Sequence, residues 1–306
     1  MTTLPKVGVS LALLTLAGAA LAAPPAPTYT TLDVPKAILT EANGINDQAQ
    51  VVGSYYDAAG NQHGFLEANG AYYTGDIPGA NATVATGISN DEIVGYTVVN
   101  STDQFGGVQT TYHGFVVSKN GYTTFNVPGA DPGTTRANGI NNKDQIVGSY
   151  SSTVSSPYGP QSITHGFLLS HGVFTTLDEP NGSYTSANGI NDKGQIVGTY
   201  LDQNDNEQGF LLTGGKYTSL YGPGDSYLAY ANGINAAGQV VGYSQSSSTY
   251  EDIGFLFSRG VYTQIAFPGA GSSTFPNGIN AKGQIVGSYS DAAGTTHGFL
   301  LTPAHT

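Results

Sequence analysis

The 306-residue chain has no cysteine, no tryptophan and little charge. Without cysteine, thiol catalysis, thiolate metal sites and stabilising disulfides are excluded. Charged residues make up 10% of the chain, less than half of the roughly 25% usual in soluble proteins. Nine basic residues, in no cluster, stand against 21 acidic ones, for a formal net charge of -12. Because nucleic acids are bound through clustered lysine and arginine, we expect no nucleic-acid partner.

Long apolar runs are equally scarce, and the one present lies near the N-terminus. Lys6 precedes the apolar stretch 7–21, which ends in the small-residue motif Ala20-Leu21-Ala22. This pattern is typical of a secretory signal peptide, and the run is too short for a membrane span; a buried core helix is the alternative. We therefore predict a signal peptide at 1–22, one mature domain at 23–306 and a secreted protein, extracellular or periplasmic, with no membrane span after cleavage.

Internal repetition is what the chain has in abundance. The string Ala-Asn-Gly-Ile-Asn, a short turn and Gln-Ile-Val-Gly-Ser-Tyr is clearest at 137–150 and 187–200. Its Gly-Ile pair occurs six times, with the glycine at Gly44, Gly87, Gly139, Gly189, Gly233 and Gly278. A second string, His-Gly-Phe-Leu-Leu, follows each time, with its aromatic residue at Phe65, Phe115, Phe167, Phe210, Phe255 and Phe299. A third string, Tyr-Thr-Thr-Leu-Asp-Val-Pro-Gly, closes the unit, as at 122–129.

These strings predict four β-strands per unit. The runs Ile146-Val147 and Phe167-Leu168-Leu169 are typical of strands buried on both faces, whereas the third string alternates like a half-exposed strand. Propeller blades take about 40–50 residues and four strands, and the repeated glycines lie 43 to 52 residues apart. We therefore predict an all-β, six-bladed β-propeller with four-stranded blades. A β-solenoid or an irregular array is the alternative.

The ends of the chain predict how the ring closes. The sixth unit stops after its third strand, at residues 297–301, and the missing fourth string stands at residues 29–35, near the N-terminus. We predict that this N-terminal strand completes the last blade. Such a clasp would restrain the ring where disulfides are absent.

The Gly-Ile-Asn, Gln-Ile-Val-Gly and His-Gly-Phe-Leu strings together resemble those of the "probable extracellular repeat" family, known as HAF repeats. The resemblance covers nearly all of the chain beyond residue 22. It implies secretion and a bacterial origin. It implies no established activity and brings no catalytic motif to carry over.

Three sets of polar residues are candidate ligands, and each also has a structural explanation. A histidine opens the third strand in four units, at His63, His113, His165 and His297; one per blade does not converge on a metal ion, so we expect hydrogen bonds within each blade. The repeated Asn46, Asn141, Asn191, Asn235 and Asn280 are expected to cap turns, with a polar ring lining the channel as the alternative. Residues 202–207 have oxygen ligands at alternate positions, as calcium loops do, but lack the glycine and distant glutamate of an EF-hand. We interpret them as a polar hairpin and assign no metal, cofactor or catalytic residue.

Differences between the units point to one face of the ring. Loops that join blades, or second to third strands, share a face that we call the loop-rich face; the turns of the opposite turn face are short and uniform. The insertions 98–112 and 151–164 bring Phe105, Tyr112 and Tyr158 to the loop-rich face. At the entry to each first strand stand six unlike residues, here called the mouth residues: Glu41, Val84, Arg136, Ser186, Tyr230 and Phe275. Neutral drift and ligand contact explain this variety equally well.

These observations favour a secreted, monomeric, non-enzymatic binding module for an extracellular glycan, peptide or surface protein. The predicted ligand-binding residues are Glu41, Arg136, Tyr230, Phe275, Phe105, Tyr112 and Tyr158. A structural matrix protein without a discrete ligand is one alternative. A polysaccharide lyase or hydrolase with a cross-blade active site is the other. A deep axial pocket with paired carboxylates would favour the enzyme, and a broad aromatic patch would favour binding.

Overall fold

A computed structural model describes residues 26–304, apart from residues 225 and 272. The regular structure of this part consists of 24 β-strands in six four-stranded antiparallel sheets. The all-β, six-bladed propeller predicted from the repeats is thereby confirmed. The predicted signal peptide, residues 1–22, lies outside the described residues. Over the part described, no helix is long and apolar enough to cross a membrane.

Each blade is built from four strands. The chain begins with β1 (Thr28–Leu32). Blades 1 and 2 contain β2 (Leu39–Ile45), β3 (Val51–Tyr56), β4 (Gln62–Ala68), β5 (Ala71–Thr74), β6 (Ala82–Ile88), β7 (Ile93–Thr102), β8 (Val108–Ser118) and β9 (Gly121–Phe125). Blades 3 and 4 contain β10 (Arg136–Ile140), β11 (Ile146–Ser156), β12 (Gly159–Ser170), β13 (Val173–Leu177), β14 (Thr185–Ile190), β15 (Ile196–Leu201), β16 (Glu207–Thr213) and β17 (Lys216–Leu220). Blades 5 and 6 contain β18 (Ser226–Ile234), β19 (Val240–Ser246), β20 (Asp252–Ser258), β21 (Val261–Ile265), β22 (Thr274–Ile279), β23 (Ile285–Ser290) and β24 (Thr296–Thr302).

The sixth sheet draws on both ends of the described chain. Its strand order is β1-β24-β23-β22. Strand β1 pairs antiparallel with β24, from Thr28 opposite Thr302 to Leu32 opposite Gly298. The Thr31 hydroxyl also lies 3.0 Å from the Tyr289 hydroxyl of β23. Strands far apart in sequence are therefore joined by a backbone ladder and a side-chain hydrogen bond.

A phenylalanine of each third strand forms the centre of each blade, and it needs a glycine beside it. Phe210 is fully buried, like its equivalents in blades 3, 5 and 6. Gly198 of β15 pairs with it directly. A β-carbon added to Gly198 would lie 2.7 Å from the Phe210 ring and 2.0 Å from the Ser186 carbonyl oxygen. The Val-Gly pair of the repeat therefore leaves room for the ring.

Each innermost strand carries a β-bulge that joins it to the next blade. In β2, Ala42 pairs with Gly53 and Gly44 with Val52, so Asn43 is the extra residue. Its Nδ2 atom donates to the Ala85 carbonyl oxygen of blade 2 at 3.0 Å. The same contact recurs at all six interfaces, from Asn43, Thr86, Asn138, Asn188, Asn232 and Asn277. Because Asn277 donates back to Ala42, these bonds form a closed ring.

The asparagines at the turn face have two roles. The Asn191 Oδ1 atom accepts hydrogen bonds from the backbone N–H groups of residues 193 and 195, so the predicted turn capping is confirmed. Its Nδ2 atom donates to the Asn235 carbonyl oxygen of the next blade at 2.9 Å. Equivalent bonds start from Asn46, Asn141, Asn235 and Asn280. Each of these side chains therefore stabilises both a turn within its own blade and the interface with the next blade.

The two insertions of the loop-rich face form regular secondary structure. Residues 98–112 and 151–164 continue the middle strands as β-hairpins, with ladders that run to Thr102 opposite Val108 and to Ser156 opposite Gly159. Alternating polar and β-branched residues explain the extension, because such sequences favour strand pairing. We call these hairpins the blade 2 arm and the blade 3 arm.

Candidate binding site at the mouth of the channel

The channel itself is narrow and chemically plain. The part of the channel enclosed by the innermost strands has a volume of about 210 Å³. It is lined by the repeated Asn-Gly-Ile residues, with Thr86 in place of one asparagine. None of these lining side chains titrates. At the turn face Asp192 accepts a hydrogen bond from the Asn142 backbone N–H at 2.8 Å. The mouth on the loop-rich face, by contrast, has charged and aromatic side chains, among them Glu41, Arg136 and Tyr230.

The mouth residues enter the first strands two positions before the bulge. Each pairs across the sheet with the residue that follows the Val-Gly pair of the second strand, for example Glu41 with Ser54 and Arg136 with Ser149. Four blades have serine or threonine at this partner position, whereas blades 2 and 5 have Tyr96 and Tyr243. Blades 2 and 5 are opposite each other in a six-membered ring. Two bulky phenols therefore stand on opposite sides of the mouth.

Arg136 is held against two aromatic rings from the neighbouring blade. Its guanidinium carbon lies 3.8 Å from the Tyr112 ring centroid and 5.5 Å from that of Tyr96. The two rings meet edge to face at 5.9 Å. Tyr112 belongs to the base of the blade 2 arm, and its backbone N–H donates to the Gly133 carbonyl oxygen at 2.8 Å. The arm therefore supports one wall of the arginine site.

The guanidinium of Arg136 has unused hydrogen-bonding capacity. Its Nε atom is buried and has no hydrogen-bond partner among the described residues. The two terminal nitrogens also make no hydrogen bond there, and they are not buried. A guanidinium offers five N–H donors in a planar fork that matches a carboxylate or phosphate. Two terminal nitrogens of a cation packed against two aromatic rings thus have no acceptor among the described residues.

An aromatic cluster lies on the other side of the mouth. The Tyr230 and Tyr243 rings stack with centroids 4.4 Å apart, and Tyr243 meets Phe275 of the next blade edge to face at 4.9 Å. Burial raises the pKa of Tyr243 to about 12, and the nearby Asp252 and Glu207 carboxylates add to the shift. The phenol therefore stays neutral and serves as an apolar and hydrogen-bonding surface.

Glu41 and Arg136 both influence Tyr96, which stands between their blades. Burial raises the pKa of Glu41, opposed by a hydrogen bond from the Ser54 hydroxyl at 3.3 Å. Burial also raises the pKa of Tyr96; the Arg136 charge lowers it and the Glu41 charge raises it. Glu41 and Arg136 therefore both act on Tyr96, whereas Tyr230 stacks on Tyr243 in blade 5.

Sequence reasoning missed Tyr96 and Tyr243, although a signal was present. The repeat reads Gly-Ser-Tyr or Gly-Thr-Tyr in four blades but Gly-Tyr-Thr and Gly-Tyr-Ser in blades 2 and 5. In a strand, exchanging neighbouring residues moves the large side chain to the opposite face of the sheet. In the four other blades the tyrosine instead reaches the outer strand, as where the Tyr55 hydroxyl lies 2.9 Å from Thr74 Oγ1. The exchange thus redirects two tyrosines to the mouth.

Two other predicted ligand residues stand apart from this cluster. Phe105 is 87% exposed in the turn of the blade 2 arm, and Tyr158 is 94% exposed in the turn of the blade 3 arm. Within the described part of the chain, neither ring contacts another aromatic ring. They extend the loop-rich face outward rather than forming part of the mouth.

The repeated histidines are bonded within their own sheets, as expected. His63 Nδ1 lies 2.8 Å from Asp76 Oδ2 and its Nε2 lies 3.3 Å from Asp57 Oδ2. The equivalent partners are Asn126 for His113, Asp178 for His165 and Asp33 for His297. The partner hydrogen bonds, first that to Asp76, raise the pKa of His63 although burial opposes them. Each of these histidines fixes the chain just after an outer strand.

The polar hairpin at residues 202–207 is an ordinary capped turn. Asp202 Oδ1 accepts hydrogen bonds from the backbone N–H groups of Asn204 and Asn206, at 2.8 and 3.0 Å. The backbone N–H of Asn206 is the largest cause that lowers the pKa of Asp202. Asp57, Asp103 and Asp291 cap the same turn in other blades. From residue 26 to 304, as far as described, no three histidine or acidic side chains are grouped to hold a metal ion.

Comparisons with known proteins bear on the fold. No family model matches the chain, and no curated protein matches it in sequence. The chain is similar in structure to the β-propeller domain of the Trilobed protease from Pyrococcus furiosus, with TM-score 0.50 and 10% identity over 87% of this chain and 94% of that one. A luciferin-regenerating enzyme gives TM-score 0.51 and 9% identity over 90% and 95%. An acylaminoacyl peptidase from Pyrococcus horikoshii gives 0.51 and 11% over 86% of this chain and 51% of that one. At these identities the likeness shows a β-propeller and nothing about activity.

Proposed function

We propose that this protein is a secreted binding module whose mouth on the loop-rich face holds an extracellular glycan through an acidic sugar. One observation carries the proposal: the Arg136 guanidinium is fixed on Tyr96 and Tyr112 but has no partner within the described residues. A buried polar atom without a hydrogen bond is costly in a folded protein. A bound carboxylate would supply an acceptor for the terminal nitrogens of this guanidinium, which also have none among the described residues.

The surroundings of Arg136 favour a sugar over other acidic ligands. Tyr112, Tyr230 and Phe275 are partly exposed around the mouth, and aromatic side chains of this kind give a ligand ring an apolar surface with polar edges. The net charge of -12 repels a polyanion, although salt screens that repulsion beyond about 8 Å. A short glycan with one or a few carboxylates fits this balance better than a highly charged polymer.

A catalytic role has weaker support at the same place. Glu41 is bonded to Ser54, and neither a histidine nor a second carboxylate is its hydrogen-bond partner among the described residues. Hydrolysis of a glycosidic bond ordinarily uses two carboxyl groups flanking it. The repeated histidines pair with carboxylates only in blades 1, 3 and 6 of the described structure, beside the outer strands. A binding role therefore needs no catalytic groups beyond those present at the mouth, whereas glycoside hydrolysis would need a second carboxyl group.

A charge-removing variant tests the proposal. Titration calorimetry would compare short oligogalacturonates of two or three sugars, which have few carboxylates, with neutral oligogalactosides of the same length. We expect the acidic series to bind and Arg136→Gln to weaken it by about 10- to 100-fold, the loss expected for a hydrogen bond to a charged group. Because Arg136 makes no hydrogen bond to the described residues and would lose only its contacts with the Tyr96 and Tyr112 rings, the melting temperature should fall only slightly.

Arg259→Gln is the matched control, because Arg136 and Arg259 are the two arginines of the chain. Arg259 lies in the turn between β20 and β21, on the turn face, so its removal changes the net charge equally without touching the mouth. Equal binding by wild type and Arg136→Gln would refute the proposed site. If both variants lose the same affinity for the acidic glycan, the loss is due to the change in net charge and not to a site at Arg136.

We also propose that β1 acts as the clasp of the ring. Its ladder with β24 and the contact of Thr31 with Tyr289 support this role. Secretion, a bacterial source and membership of the HAF repeat family remain proposals that depend on the N-terminal pattern and the repeat motif.

A further inference from the structure

Five of the six blade interfaces are filled in the same way near the outer strand. The last residue of the outer-strand string lies opposite a glycine of the third strand and packs onto the next blade. Leu177, for example, pairs with Gly166 and packs in the cluster that contains Phe210 and Tyr217 of blade 4. The residues in this position are Leu32, Phe125, Leu177, Leu220 and Ile265.

The interface between blades 1 and 2 lacks this side chain. Gly75 occupies the position, and its backbone N–H donates to the Gly64 carbonyl oxygen at 2.9 Å as the pairing requires. A β-carbon added to Gly75 would meet no heavy atom within 4 Å. Its φ angle is not among the positive ones, so nothing in the backbone demands glycine here. The space that a leucine or phenylalanine fills elsewhere is therefore open.

A second departure occurs at the same interface. In five blades the aromatic residue that begins the outer-strand string contacts the central phenylalanine, as where Phe210 and Tyr217 lie 5.3 Å apart. The equivalent residue of blade 2, Tyr122, makes no ring contact with Phe115 among the described residues and is 49% exposed. The two side chains that pack near the central phenylalanine at the other interfaces are thus absent from Phe115.

The result is an apolar cleft of about 220 Å³ between the two blades. Leu66, Ile93, Val117 and Tyr122 form its open side, and Ile77 and Phe115 lie beneath them. Phe115 is only 1% exposed, so the other residues around the cleft cover it almost completely. Asp76, the acidic residue at the edge, is already bonded to His63.

We propose that this cleft binds a small ligand through a single aromatic ring, in the place left by the missing leucine or phenylalanine. The size of the space supports this, because an engineered apolar cavity of about 150 Å³ takes up benzene. The lining supports it too, since the polar group at the edge has its own partner and demands none from the ligand. This site lies between blades, away from the mouth, and its existence does not depend on the proposed glycan site.

Fluorobenzene is a suitable probe, followed by 19F NMR on the full protein. We expect saturable binding, and we expect Gly75→Leu to weaken it at least about tenfold because the new side chain takes the ring's place. Gly75→Ala should reduce affinity less. Val173→Leu, which adds bulk at an exposed position of blade 3, should leave binding unchanged.

The stability of the variants gives an independent readout. Gly75→Leu should raise the melting temperature, because it restores the packing seen at the other five interfaces. Absence of saturable binding to the wild type, or equal binding by Gly75→Leu, would overturn the proposal. A wild-type dimer that dissociates in Gly75→Leu would also overturn it, by assigning the cleft to a side chain of a second copy. Size-exclusion chromatography with light scattering separates that outcome from ligand binding.

Discussion

At the scale of single residues, glycines of similar appearance in the sequence have different physical roles. Gly198 and its equivalents make room for the central phenylalanine, and Gly189 lies where two innermost strands approach, since a β-carbon there would be 2.7 Å from the Asn232 carbonyl oxygen. Gly194 adopts a positive φ of 74° in a turn. Gly75 meets none of these requirements. The same substitution should therefore have opposite effects at different glycines.

Gly198→Ala and Gly75→Ala test this directly. We expect Gly198→Ala to destabilise the fold by about 3 kcal/mol or more, because the new methyl group overlaps a carbonyl oxygen and the Phe210 ring. Gly75→Ala should be neutral or stabilise by up to about 1 kcal/mol, since it restricts the unfolded chain without a clash. Urea unfolding monitored by tyrosine fluorescence measures both. A Gly198→Ala variant as stable as wild type would contradict the proposed packing role.

The sequence repeats predicted which residues recur in each strand, but they did not predict which side chains those residues contact. The Ala-Asn-Gly string predicted a first strand, yet the bulge at Asn43 and its bond to Ala85 depend on how close two blades approach. The exchange of serine and tyrosine at Tyr96 was visible in the repeat. That Arg136 lies near Tyr96 and has no acceptor among the described residues follows from three-dimensional packing and not from spacing.

At the scale of strands, the His–Asp pairs anchor outer strands to their sheets. Blades 4 and 5, which have Gln208 and Ile253 in place of the histidine, also lack the acidic partner and have Tyr221 and Ala266 there. The two positions therefore change together within one chain, as expected for a direct contact. In blade 6 the pair joins His297 to Asp33 at 2.8 Å. There it fastens the end of β1.

The clasp should consequently depend on pH. Burial lowers the pKa of His297, but the hydrogen bonds to Asp33 and Asp291 outweigh it, and the net pKa is raised. A raised histidine pKa stabilises the folded state below the unfolded value of about 6.5, and this contribution is lost as the pH rises through the folded value. We expect His297→Gln to lower the melting temperature more at about pH 5.5 than at about pH 9.

Hydrogen exchange locates the effect. His297→Gln should speed amide exchange in β1 relative to wild type at the same mildly acidic pH. His63→Gln removes a similar pair within blade 1, where His63 lies in β4 and Asp76 follows β5, and should leave β1 unchanged. If the amides of β1 exchange at the same rate in wild type and His297→Gln, the contact of His297 with Asp33 does not hold β1 in the sheet.

At the scale of the whole molecule, the ring is held by repeated contacts that include the junction between its first and last blades. Asn277 and Asn280 of blade 6 donate to Ala42 and Asn46 of blade 1, just as their equivalents do elsewhere. The sixfold pattern is broken at the mouth, where Tyr96, Arg136 and Tyr243 differ from their repeats, and at the cleft beside Gly75. The uniform contacts thus build the scaffold, and the departures from uniformity mark the proposed sites.

If β1 closes this ring, a covalent link between β1 and β24 should stabilise the entire protein. Thr30 and Leu300 lie directly opposite each other in the ladder, and the chain has no cysteine to interfere. We expect the double variant Thr30→Cys, Leu300→Cys to form an intramolecular disulfide. Oxidation should raise the free energy of unfolding by about 2–4 kcal/mol, because the bond closes a very long loop of the unfolded chain. Comparing one protein with and without reductant isolates the bond from the two substitutions, and each single-cysteine variant controls for reductant effects. Failure to form the bond would contradict the pairing, and a bond that leaves unfolding unchanged would show that opening the ring elsewhere limits stability.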